Sequence, residues 1–295
     1  MKIVILILLH EFSKQQERLI NHLCKDFDIF IHIDKKSNIQ PQDISSLSDN
    51  IFVYKKYKVY WGHYNQICAT LFLYQKAHEK QYDRYIFISG SDIPIKSNQY
   101  IQDFFDYTNK EYLGFEKLPR KDWNGNGGFN RINYFHSKFV GAKQSAIQRL
   151  YSRINNKFAS LCNKAFKYLQ INRTPIGGGV FGGPNWMDLT NNCVSQVLEF
   201  TKKNKRFLCR FKYTRCADEI FFQTIICNHV NNIELEKKSL RYVDWTSGPE
   251  YPKILRKEDF ERIQASSALF ARKFDYTVDS EAIDLCYQLA SKNIT

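Results

Sequence analysis

The chain has 295 residues, 43% of them apolar, enough to bury one large core, and no run approaches the length of a membrane-crossing helix. Lys and Arg (43) outnumber Asp and Glu (30) for a formal charge of +13, so the surface favours anionic partners: nucleotides, acidic lipid headgroups or nucleic acid. The eight cysteines have neither C-x-x-C spacing nor a secretory signal beside them, which argues against a disulfide framework and a structural zinc site.

The opening run KIVILILL (2–9) is too short to span a bilayer and lacks a small-residue cleavage site, so it reads as the first core strand. A polar helical stretch follows over 13–24, then the strands DIFIHID (28–34) and IFVYKK (51–56). Between Gly62 and Lys80, the residues Ile67, Leu71 and Tyr74 recur at helical spacing, and this helix leads into the buried strand RYIFIS (84–89). Such alternation predicts a parallel sheet joined by crossover helices. After Glu116, KLPRKDWNGNGGFNR (117–131) reads as a surface loop of the kind that touches ligands. A long helix is expected at about 143–169, then the Gly-rich IGGGVFGGPNW (176–186), then helices at about 190–203 and 218–228. No repeat or composition shift divides the chain, so one domain over 1–295 is expected.

Ligands collect at the carboxyl ends of strands in open α/β sheets, which is where Asp34 and Asp92 fall. Asp also caps turns and helix starts, and spacing leaves both readings open. Enzymes of nucleotide sugars commonly end such a strand with two acids that hold a metal under a diphosphate. Here Ser91 and Asp92 form the tip with no second acid beside them. RCADEIFFQTII (215–226) puts Asp218 and Glu219 at the start of an apolar helix; Asp218 is a natural N-cap, and the helix start favours carboxylates with or without chemistry. IGGGVFGGPNW matches neither a P-loop nor a dinucleotide fingerprint, so its glycines are expected to let backbone approach a bound ligand closely or to make tight bends between strands. Arg241 in SLRYVDW, and Arg272 and Lys273 in LFARKFD, are embedded among aromatic and aliphatic residues. Cations so placed serve a ligand, pair with a structural Asp, or snorkel to water.

Taken in order, IHIDKKS, VYWGHYNQICATLFLYQKA, YIFISGSDIPIKS, GGPNWMDLT, ADEIFFQTI, LRYVDW and LFARKFD resemble glycosyltransferase family 14, the core-2/I-branching N-acetylglucosaminyltransferases and peptide O-xylosyltransferases. The resemblance runs over about 2–275 and is weakest over 117–174. It implies an α/β, GT-A-like single domain with a mixed, mainly parallel central sheet flanked by helices. About 1–115 would bind the nucleotide sugar, and about 116–295 the acceptor and the catalytic group. The activity implied is inverting transfer from a UDP-sugar to a saccharide or lipid-linked saccharide, forming a β-linkage, with no obligatory metal or other cofactor.

By the same resemblance, Arg241 and Lys273, with Arg272 beside them, replace the metal at the diphosphate, and Glu219 is the general base. Asp34, Ser91, Asp92 and Trp186 would face the donor nucleotide and sugar, while Glu116, Trp123 and Arg131 lie near the acceptor region. N-acetylglucosamine is the first donor expected, with xylose, glucose, galactose and glucuronic acid open. Animal members are membrane-anchored luminal proteins with disulfides. This chain shows no anchor, so a cytoplasmic enzyme of bacterial type is expected, building surface polysaccharide or lipooligosaccharide and touching the anionic inner face of the cell membrane through its positive surface. Two other readings stand beside this one. In the first, Asp34 and Asp92 share a magnesium or manganese ion, which leaves Arg241 and Lys273 unexplained. The second is a nonenzymatic basic nucleic-acid-binding protein, which the charge and the 15% aromatic content favour but no recognised motif supports.

Overall fold

The structure, a computed structural model, describes residues 1–136, 146–169, 173, 176–249 and 251–291. Strand β1 (Ile3–Leu9) is apolar throughout and almost wholly buried, as a strand covered on both faces must be. Ser13 starts α1 (Lys14–Leu23) with a capping box: its hydroxyl accepts from the Gln15 amide, and the Gln16 side chain accepts from the Ser13 amide. The chain continues through β2 (Asp28–Ile33), α2 (Pro41–Ser45), which Pro41 opens, and β3 (Ile51–Tyr54). Helix α3 (Tyr64–His78) returns it to β4 (Arg84–Ser89). These elements match the alternation expected.

Short elements follow: β5 (Ile93–Pro94), α4 (Asn98–Asp106), β6 (Glu111–Leu113) and β7 (Glu116–Lys117). The segment expected as a loop runs through bends and turns as far as Trp123, then makes a left-handed turn, α5 (Asn124–Gly127), and a single right-handed turn, α6 (Phe129–Asn133). Gly125, Gly127 and Gly128 make that path possible by adopting positive φ. Helix α7 (Ala146–Tyr168) lies within the long helix expected, whose first residues, 143–145, fall outside the described residues. Next come β8 (Phe181–Gly182), β9 (Met187–Thr190), α8 (Asn191–Lys203), α9 (Lys205–Arg210) and α10 (Asp218–His229). The last elements are β10 (Leu235–Glu236), β11 (Arg241–Val243), α11 (Phe260–Gln264), β12 (Phe270–Arg272) and α12 (Ser280–Ala290).

Seven strands form the central sheet in the order β10-β6-β9-β4-β1-β2-β3. Pairing is parallel except where β9 runs antiparallel between β4 and β6, so the sheet is mixed and mainly parallel, as expected. Alternate residues of β1 point to opposite faces: Val4 and Leu6 pack with side chains of α3, α8 and α10, whereas Ile5 and Ile7 pack with those of α1 and α4. A three-stranded sheet, β11-β12-β5, carries a smaller core with α11 and α12.

One ion pair joins the two sheets. Asp188 in β9 accepts from both terminal nitrogens of Arg241 in β11, each at 2.8 Å, and Arg241 also donates to the Phe87 carbonyl of β4 at 2.9 Å. Neither side chain meets solvent, at 0% and 1% exposure. Removing one partner of such a pair strands a buried charge, so Asp188→Asn is expected to lower unfolding stability by about 3–5 kcal/mol. Denaturant titration checks this, and the double variant Asp188→Leu with Arg241→Met should recover most of the loss. A single variant as stable as the wild type would contradict it.

Candidate active site

Two clusters lie on the sheet's carboxyl-end side. The first forms where β4 ends. Asp92 folds back on the turn, its Oδ2 accepting from the Ser89 amide at 2.7 Å and the Ser89 hydroxyl at 2.5 Å. Arg272 at the end of β12 reaches the same group, donating to Ser89 Oγ at 3.0 Å and Asp92 Oδ2 at 3.3 Å. The Arg272 guanidinium lies 3.9 Å from the centre of the Trp186 ring, so the ring expected beneath a sugar carries a cation on one face. Burial lowers the Arg272 pKa, Asp92 opposes that shift and Arg241 adds to it. Asp92 is itself fully buried, with Oδ1 unpartnered. The Ser91 carbonyl accepts from the Phe274 amide at 3.1 Å, which holds the half-buried Lys273 in the same group. Ser91, Asp92, Trp186, Arg272 and Lys273 are thus brought together.

Arg241 stands apart from them. The expected contact with a diphosphate requires a guanidinium open to the ligand, and this one is closed off by Asp188 and the Phe87 carbonyl. Asp34 lies at the same end of the sheet, two strands from β4, where its Oδ1 accepts from the amides of Lys36 and Val59 at 2.9 and 3.1 Å. Lys36 pairs with its Oδ2 at 3.2 Å. The two aspartates therefore close separate turns, and among the described residues no three or more His, Cys, Asp or Glu side chains gather as metal ligands.

The second cluster surrounds the start of α10. Asp218 was expected to cap this helix, but Ala217 holds the cap position and no side chain caps it. The Asp218 side chain turns inward, its Oδ2 accepting from Gln66 of α3 at 2.8 Å and Asn185 at 2.9 Å. Burial raises the Asp218 pKa, and the neighbouring Glu219 charge raises it further. Glu219 is the reachable carboxylate: its side chain is 28% exposed and its Oε2 accepts from Arg131 of α6 at 2.5 Å. Burial pushes the Glu219 pKa up, while the charge and hydrogen bond of Arg131 hold it down.

Arg131 is in turn positioned by Trp123, whose ring centre lies 3.6 Å from its guanidinium; Arg120 lies 4.7 Å from the same ring and donates to the Gly182 carbonyl. A side chain at Gly182 would collide with Trp123, and one at Gly183 with the Gly114 carbonyl, so the close approach expected of these glycines is to the protein's own chain. The Gly183 amide donates to the Glu219 carbonyl at 2.8 Å. The resemblance is weakest over this segment, yet the structure sets Trp123 and Arg131 directly behind Glu219. Glu116 pairs with Gly182 across β7 and β8 and stands half-exposed, 3.9 Å from Lys237. Sequence reasoning missed Gln66, Asn185 and Asp188; only Asp188 left a signal, an acid within the apolar strand MDLT.

The family model described as Branch: Core-2/I-Branching enzyme matches residues 5–264. Xylosyltransferase 1 of Rattus norvegicus is 24% identical over 299 residues, covering 92% of this chain and 33% of that protein. Xylosyltransferase 2 of Canis lupus familiaris is 25% identical over 297 residues, covering 92% and 31%. The chain therefore spans about a third of the length of these relatives. Among solved structures, the apo-form glycosyltransferase GlyE of Streptococcus pneumoniae TIGR4 aligns over 99% of this chain and 61% of its own, at 9% identity. The TM-score of that alignment is 0.38.

Because Arg131 favours the ionised carboxylate, its replacement by Met should leave burial opposed only by the charge of Arg120 and move the Glu219 titration to higher pH. Carbon-detected NMR of the labelled carboxyl reads this directly. A midpoint that stays put or falls would show that the pair does not tune Glu219.

Proposed function

The chain belongs to the Core-2/I-branching enzyme family, and from that premise we propose that it is an inverting glycosyltransferase moving a sugar from UDP to a saccharide hydroxyl. The observation that carries this reading is the Glu219 carboxylate: it is open on one side, and Arg131 and Trp123 fix it on the other. Glu219 Oε1 accepts no hydrogen bond from a described residue, so it is free to take the proton of an incoming hydroxyl. The oxygen of that hydroxyl then attacks the anomeric carbon opposite UDP, and a single displacement converts an α-linked donor into a β-linked product.

Negative charge builds on UDP as it departs, so cations already in place stabilise the transition state more than the ground state. Arg272 and Lys273 take this role. Arg272 Nη2 makes no hydrogen bond among the described residues, and neither does the Lys273 ammonium. A guanidinium offers a fixed fork to phosphate oxygens and an ammonium a compact charge. Arg241 acts from beneath, anchoring the strand that pairs with β12. Asp92 orients Arg272, while Ser91, Trp186 and Asp34 border the nucleotide and sugar. Trp123, Arg131 and Glu116 border the acceptor.

These roles require no obligatory metal. N-acetylglucosamine remains the first donor to test, and the names of the relatives put xylose beside it. The proposed acceptor is a saccharide or lipid-linked saccharide of the bacterial surface, glycosylated on the cytoplasmic side.

A base that must be ionised gives a rate that rises with pH through its pKa, and burial sets that limb above the ordinary carboxylate range. UDP release from a panel of UDP-sugars, with EDTA in one arm and manganese in the other, tests the reading. One donor should be consumed in both arms. Glu219→Gln should lower turnover about 10²–10⁴-fold with UDP affinity unchanged, whereas Lys273→Ala should weaken UDP binding itself about tenfold. Normal turnover in the Gln variant would remove Glu219 from the chemistry, and release only with manganese would return the diphosphate to a metal.

A further inference from the structure

Helix α7 meets the rest of the protein along one face. The Asn163 carboxamide exchanges hydrogen bonds with the Phe135 backbone, at 2.7 Å to the amide and 3.1 Å to the carbonyl. Phe166 sets its ring 5.1 Å from that of Phe135. The outward face is unlike any other helix surface described: Leu150, Ile154, Phe158, Leu161 and Tyr168, with Leu169 just beyond, are 57–88% exposed. Helix α3, by contrast, buries its Ile67, Leu71, Leu73 and Tyr74.

Charge is equally one-sided. At about 100° per residue, Leu150, Ile154, Phe158, Leu161 and Tyr168 share an arc of about 80°, and the exposed Arg153, Lys157, Lys164 and Lys167 occupy the adjoining arc. The helix sequence contains no Asp or Glu. A row of large apolar side chains edged by cations alone fits a surface with an apolar interior and anionic headgroups. A second copy of the chain fits poorly, because it would bring cations against cations in a molecule that already carries +13.

We propose that α7 is an interfacial helix that seats the protein on an anionic membrane, its apolar arc at the headgroup boundary and its lysines on the headgroups. It lies on the bilayer and does not cross it, since no helix among the described residues is long and apolar enough to do so. This inference does not depend on the transfer reading. Joined to that reading, it gains a consequence: α7 holds Phe135, four residues after the Arg131 that pairs with Glu219, so a lipid-seated α7 is tied by a short stretch of chain to the segment beside the base.

Sedimentation with vesicles of phosphatidylcholine containing about 30% phosphatidylglycerol, against phosphatidylcholine alone, tests the proposal. The protein should bind the anionic vesicles at least about tenfold more tightly at low salt, and lose most of that advantage at about 0.5 M salt. Phe158→Glu with Leu161→Glu should reduce binding at least about tenfold, and Lys157→Gln with Lys164→Gln by several-fold, with UDP affinity and thermal unfolding unchanged. Equal sedimentation with both vesicle types, or a double-Glu variant that binds like the wild type, would overturn the proposal. So would a concentration-dependent dimer that the double-Glu variant dissolves, which would assign the face to a second copy.

Discussion

The layout of the cluster where β4 ends depends on a guanidinium and a carboxylate that water does not reach. Taking Arg241 and Asp188 out of solvent is costly and is offset only by full hydrogen bonding at good geometry, which two 2.8 Å contacts and the Phe87 carbonyl supply. That pair fixes β11 against the central sheet. Because β11 pairs with β12 in a register that sets Val243 opposite Arg272, it also fixes where Arg272 emerges. Trp186, which receives the Arg272 guanidinium, precedes Asp188 by two residues. The ion pair and the cation-aromatic stack are neighbouring rungs from the one segment 186–188 to the paired strands β11 and β12, one sealed and one partly open.

The charges of this cluster nearly cancel. Asp188 offsets Arg241 and Asp92 offsets Arg272, which leaves the Lys273 ammonium as the cation without a carboxylate among the described residues of the group. On the proposed function, a diphosphate arriving there would meet one uncompensated charge directly. It meets a second if its oxygens draw Arg272 away from Asp92, whose 3.3 Å contact is the longest that Arg272 makes in this turn. Desolvation works in the same direction, since a buried guanidinium with one carboxylate beside it gains more from a second anion than an exposed one does. The single strand-end acid therefore holds a cation in place.

Those parts of the fold that follow from repeated local pattern were legible in the sequence. Strand β1 is a continuous apolar run, β2 and β4 are mostly apolar, α3 has helical periodicity, and together they imply the parallel half of the sheet. The three-stranded sheet was not legible, because strands of two or three residues are too short to show a period. Arg241 was recognisable as an embedded cation, but its partner lies 53 residues away, beyond anything that spacing can name. Asp218 shows how narrow the margin is. A helix starting one residue later would have made it a cap; instead Gln66 and Asn185 claim its carboxylate, and tertiary hydrogen bonds override the local preference.

Adjacent carboxylates on α10 end in opposite conditions because a single step along a helix turns a side chain by about 100°. Asp218 faces inward, where burial and the charge of its neighbour both raise its pKa and favour the neutral form. A proton on Asp218 benefits Glu219, since a second buried negative charge beside it would work against its ionisation. Glu219 faces the Arg131 guanidinium, which steadies the anion through one oxygen and leaves the other open. A general base works best when its pKa is neither so low that it cannot hold a proton nor so high that it never gives one up. Burial pushes Glu219 away from the first limit and Arg131 holds it back from the second. Trp123 makes that balance a fixed property of the site, because a guanidinium held against an indole face cannot readily swing off the carboxylate.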